Sequence, residues 1–156
     1  MRLLLAFALI FTASASNATA DEGVHVRPMG NTQGSLEMFG TWTITKVLCK
    51  DCADRRPEEV GTKLVFAPTS FTDPFSITCA NASYPNRTIP GDQVMKLFGS
   101  NLPKSAKNLI PQKGSVIDAR LACDKGPVGR VLFLGDGKAI YLYEGEDYFI
   151  ERAKTP

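Results

Sequence analysis

Histidine is almost missing from this chain: His25 is the only one among 156 residues. Ser/His/Asp and Cys/His centres need a histidine held rigidly beside a nucleophile. His25 stands instead in a stretch punctuated by Gly23, Pro28, Gly30 and Gly34, with no fixed partner. An excess of one charge is missing too. Eighteen basic residues face 16 acidic ones, a formal net charge of +2, which leaves no electrostatic footprint for nucleic acid. It also argues against a strongly acidic decoy for basic enzymes. There is no phosphate-cradling glycine loop, no internal repeat and, after residue 20, no apolar run long enough to span a bilayer. Facing carboxylates of the glycosidase kind are not evident. Asp118, Glu144 and Asp147 fall on outward parities or in turns, where carboxylates are normally solvated. The expectation is a protein that is not an enzyme and uses neither cofactor nor metal.

What the chain does contain begins with a leader. Arg2, the apolar run Leu3 to Phe11 and Ala18-Thr19-Ala20 have the order of a secretory signal peptide over residues 1–20. Residues 21–36 read as a flexible N-terminal tail, and 37–156 as a single domain. The 13 glycines and 10 prolines suit short strands joined by turns.

Tryptophan occurs once, in Gly40-Thr41-Trp42-Thr43-Ile44-Thr45, where Trp42 and Ile44 alternate with threonines as in a half-buried strand. Further strands are expected at 63–66, 71–79, 115–123, 130–134, 139–143 and 148–152. Asp73-Pro74 interrupts the 71–79 run as an edge or bulge would. Asp136-Gly137 suits a two-residue type I′ hairpin, and the last four strands form a meander. Residues 80–114 read as a long loop with one short helix, capped by Asp92 and stopped by Gly99. The fold class is therefore all-β: a small antiparallel β-barrel of about seven to eight strands.

Gly40-x-Trp42 at the start of the first strand, with Arg152 after the last, resembles the lipocalin and wider calycin pattern, and most nearly the small bacterial envelope or secreted barrels that include inhibitors. The resemblance implies that Trp42 plugs one end of the barrel and that Arg152 packs across it. It covers the two ends of the domain; a second lipocalin motif and a C-terminal helix are absent.

Four cysteines in an exported chain suggest two disulfides. Cys79 and Cys123 each close a strand on its apolar parity and are paired here, which leaves Cys49 with Cys52. Cys49-x-x-Cys52 follows a strand and leads into a proline-containing connection, unlike the helix N-terminus of a redox dithiol.

Lys96, Lys104, Lys107 and Lys113 fall between Gln93 and Ile117, a stretch without one carboxylate. Such a segment either solvates a long connection or binds an anionic partner. The expected function is a non-enzymatic, exported binding or inhibitory module of the periplasm or exterior, engaging a protein or an anionic envelope component. Two alternatives stand beside it. One is a carrier with an apolar ligand in a barrel lined by Phe66, Phe71 and Phe75. The other is a thiol–disulfide protein using Cys49-x-x-Cys52.

Overall fold

The computed structural model describes residues 37–48, 57–99 and 102–154. One antiparallel sheet of nine strands organises them, curled into a half-barrel. The strands are β1 (Gly40–Leu48), β2 (Lys63–Ala67), β3 (Ser70–Thr72), β4 (Thr78–Cys79), β5 (Asn86–Pro90), β6 (Ser115–Cys123), β7 (Gly126–Gly135), β8 (Lys138–Tyr143) and β9 (Glu146–Arg152). Their order across the sheet is β4-β3-β2-β1-β9-β8-β7-β6-β5. The first and last strands are therefore neighbours in the middle, with Trp42 opposite Arg152 and Ile44 opposite Ile150.

Turn chemistry sets the meander. Asp136 and Gly137 both take positive φ, 52° and 68°, as the expected type I′ hairpin requires. Glu144 and Gly145 repeat the device at 48° and 83°. β4 and β5 lie at opposite edges although they follow one another in sequence, and the segment between them stitches the curl together. Ser83 and Ala122 exchange backbone hydrogen bonds of 2.9 and 3.1 Å, Ala82 N–H donates to Thr69 O, and the Tyr84 hydroxyl donates to Ser70 O at 2.6 Å. The Cys79 and Cys123 sulfurs sit at disulfide distance, with Cα atoms 5.6 Å apart.

The concave face is filled with large side chains. Trp42, Phe66, Phe71, Tyr141 and Tyr148 are each at most 2% exposed. Ring centroids lie 5.0 Å apart for Phe66–Phe71, 6.0 Å for Phe71–Tyr141 and 5.4 Å for Trp42–Phe133. Burying one such side chain is worth about 1.5–3 kcal/mol.

The convex face is buried as well. Val116, Leu132 and Ile140 project there and are covered by α1 (Gly91–Phe98), α2 (Lys104–Lys107) and the residues around them, through Val94, Phe98, Leu102, Ala106 and Ile110.

Four expectations need correction. Nine strands replace seven or eight, because residues 86–90 pair with β6 rather than looping free. The 71–79 strand is a hairpin: Asp73 caps its turn by accepting from Phe75 N–H and Ile77 N–H, both at 2.9 Å, and the chain reverses. Two helices stand where one was expected. Asp92 lies inside α1 and Pro90 takes the N-cap position. Gly91 opens the helix and its backbone packs on Pro111 O, which an added Cβ would meet at 2.0 Å.

Candidate binding surfaces

Three places on the molecule gather chemistry. The first is the end of the half-barrel at Trp42. The indole N–H donates to Met38 O at 3.0 Å, and the Arg152 guanidinium lies 5.1 Å above the ring. Arg152 Nη1 donates to Phe39 O at 2.8 Å, whereas its Nη2 is buried without a hydrogen-bond partner. Gly40 permits this approach. At φ +131° it adopts backbone that L side chains avoid, and a Cβ would press on Arg152 Nη1 at 3.1 Å. Gly40, Trp42 and Arg152 are thus one contact set. A cleft of about 610 Å³ opens beside them. Met38, Trp42, Ile117 and Phe133 give it apolar walls, with Lys138 and Arg152 as its cations and Glu37 and Asp136 as its carboxylates.

The second place is the 91–114 segment. Its apolar residues are pinned to the convex face, and Lys96, Lys104, Lys107 and Lys113 are all exposed. Lys104 and Lys107 lie one turn apart on α2. Among the described residues no carboxylate forms a salt bridge with any of the four.

The third corrects the expectation of a solvated Asp118. Asp118 is fully buried rather than solvated, because the convex face of β6 is covered. It accepts from Arg87 Nε at 2.7 Å and from Arg130 through both Nε and Nη2. Arg130 also lies 4.4 Å over the Phe98 ring, which joins this cluster to α1. Two signals pointed here. Val116 shares the parity of Asp118, and Val131-Leu132-Phe133-Leu134 is apolar on both parities, the mark of a strand covered on both faces.

The remaining carboxylates divide. Glu144 is exposed in its turn, as expected. Asp147 is buried at 6% exposure between Leu48 and Leu142, and burial pushes its carboxyl from 3.8 up to about 7. Asp73 accepts the Tyr141 hydroxyl at 2.9 Å. Burial first, and then the Asp73 carboxylate, hold that phenol far above its ordinary value. Asp73 and Asp118 are occupied in structural bonds, so neither is placed as a general acid or base. Phe66 and Phe71 are core, and Phe75 stacks on Tyr143 at 5.3 Å. Cys49, Cys52 and His25 lie outside the described residues, as do the expected leader and tail. Among the described residues no three His, Cys, Asp or Glu side chains converge as metal ligands would, and no helix is long and apolar enough to cross a membrane. No protein-family model, curated protein or solved structure matches this chain.

Proposed function

We propose that the protein is a non-enzymatic, exported binding or inhibitory module of calycin-like type that engages an anionic macromolecule through the 91–114 segment. The observation that carries this reading is the division of labour within that segment. Val94, Phe98, Leu102, Ala106 and Ile110 lie at 0–5% exposure against the sheet, while the four lysines are exposed and have no carboxylate partner among the described residues. A cationic surface held by a buried apolar row is preorganised, so little ordering entropy opposes binding. The filled concave face supports a module over an internal carrier, since Phe66, Phe71 and Phe75 pack on neighbouring rings.

Retention on immobilised dextran sulfate tests the reading. The wild-type protein is expected to bind at low salt and to elute as the Debye length falls toward about 8 Å near physiological ionic strength. Lys104→Glu with Lys107→Glu should flow through with an unchanged circular dichroism spectrum. Equal retention of both proteins would remove the lysines from the function.

A second reading follows from the cleft. A small amphiphile with an apolar body and an anionic head fits a cleft walled by Trp42 and Phe133 and bordered by the Lys138 and Arg152 cations. Dodecanoate, but not dodecanol, would then alter Trp42 fluorescence. Equal responses would refute recognition of the head group.

A further inference from the structure

The lysine-bearing segment is not the only cationic feature on the convex face. Arg87 stands directly opposite Asp118 across β5 and β6, and Arg120 stands directly opposite Arg130 across β6 and β7. Arg120 shares the parity of Asp118, because Ala119 and Leu121 between and beyond them belong to the concave core. Four charged side chains thus occupy adjacent rungs of one face, three guanidiniums around one carboxylate, a local excess of two positive charges.

Like charges directly opposite in an antiparallel pair are destabilising. A face built only for stability would place a neutral or acidic residue at one of these rungs. Asp118 does not resolve the conflict. Its two oxygens are taken by Arg87 Nε and by Arg130 Nε and Nη2, and it forms no hydrogen bond or ion pair with Arg120. That leaves Arg87 Nη1 and Nη2 and Arg130 Nη1 outside the hydrogen bonds to Asp118, and Arg120 without a carboxylate partner among the described residues. The next carboxylate along the Arg120 rung is Asp147, two strands beyond Arg130 through Leu142.

Asp118 instead fixes the two guanidiniums it holds. It is fully buried, while the side chains of Arg87 and Arg130 keep 21% and 26% exposure. Arg130 is further held against Phe98. Two guanidiniums fixed on one carboxylate and partly exposed, beside a third that has no carboxylate partner among the described residues, form a donor array suited to a multidentate oxyanion.

We propose that Arg87, Arg120 and Arg130 form a phosphoryl-binding site on the convex face, preorganised by the buried Asp118 carboxylate. A dianionic phosphoryl group matches the excess of two charges and offers several acceptor oxygens to the free N–H groups. The site does not depend on the lysines of the 91–114 segment.

Inorganic phosphate is the probe, titrated against sodium chloride of matched ionic strength, with thermal unfolding and phosphorus NMR line width as readouts. The wild-type protein should show a saturable rise in Tm and a broadened phosphate signal. Arg120→Gln should bind phosphate about tenfold more weakly, as expected when one charge-assisted donor is lost. Without phosphate its Tm should equal or exceed that of wild type, because the like-charge pair is gone. Lys104→Glu with Lys107→Glu should respond to phosphate as wild type does, which separates this site from the lysine surface. Flotation with vesicles containing phosphatidic acid then identifies the source. Co-flotation of wild type but not of Arg120→Gln assigns a lipid headgroup, and no flotation with the phosphate response retained assigns a soluble phosphoryl ligand. A wild-type response no larger than that to chloride, or an undiminished response in Arg120→Gln, overturns the proposal.

Discussion

Replacing Trp42 by alanine is the most severe single change that the geometry of the half-barrel invites. The side chain is 2% exposed and touches Phe66 and Phe133 edge-on, at centroid separations of 6.3 and 5.4 Å. Truncating a buried tryptophan costs about 3–5 kcal/mol. Three particulars place Trp42 in the upper part of that range. Its indole N–H bond to Met38 O is worth about 1 kcal/mol net. The aromatic pairs contribute about 0.5–1.5 kcal/mol each beyond their area. Loss of the ring also strips Arg152 of a cation–π partner worth about 0.5–2 kcal/mol. These overlap with the burial term, so the expected loss is about 4–5 kcal/mol. With a urea dependence of about 1–3 kcal/mol per molar for a small domain, the midpoint should fall by roughly 2 M. Circular dichroism is the appropriate probe, since the mutation removes the fluorophore. Trp42→Phe, which keeps a ring beneath Arg152 but loses the N–H, should lose about 1–2 kcal/mol. A loss below about 2 kcal/mol for Trp42→Ala would show that the strand pair β1–β9 is held by something other than this contact set.

Two further outcomes follow from the buried groups. Asp147 binds a proton more tightly folded than unfolded, so its ionisation opposes folding increasingly as pH rises from about 4 to about 7 and fully above that. Asp147→Asn should therefore stabilise the protein at pH 8 by about 2 kcal/mol or more and have little effect at pH 4, measured by urea unfolding at both values; an equal effect at both would refute the burial account. Opening the Cys79–Cys123 link, with 44 residues of sequence separation, should cost about 4 kcal/mol through the freed chain, read from unfolding of Cys79→Ser with Cys123→Ser. Peptide mapping without reductant checks the pairing first, and a Cys79 peptide joined to Cys49 or Cys52 would contradict it.

The period-two strands were legible because one face of each meets an aromatic interior: Trp42 and Ile44 on β1, Ala119 and Leu121 on β6, Tyr148 and Ile150 on β9. The Asp136-Gly137 turn was legible because few residue pairs tolerate two positive φ angles in succession. Asp118 was misread for a physical reason. Parity tells which residues share a face, but not what covers that face. The cover is the 91–114 segment, whose apolar positions follow no single period because they are divided between two short helices and the turns beside them. β5 was missed because Asn86-Arg87-Thr88-Ile89-Pro90 has a single apolar side chain before its terminal proline, as an edge strand can. The arginine cluster could not be read from spacing, since Arg87, Asp118 and Arg130 meet only through the register of three strands.

The pairing of β1 with β9 has a consequence for how the chain is completed. β9, the latest of the described strands in chain order, is not an edge addition but the partner that joins Gly40–Leu48 to the meander, so the two flanks of the sheet share no ladder until residues 146–152 are in place. Contacts that span almost the whole domain close slowly, on the millisecond-to-second scale typical of high-contact-order β proteins. A chain lacking Glu146–Arg152 would hold β1–β4 and β5–β8 together only through the Ser83–Ala122 bridge and the Cys79–Cys123 link, with β1 and β8 each left unpaired along one edge. Loss of Glu146–Arg152 would therefore divide the sheet through its middle rather than trim its edge.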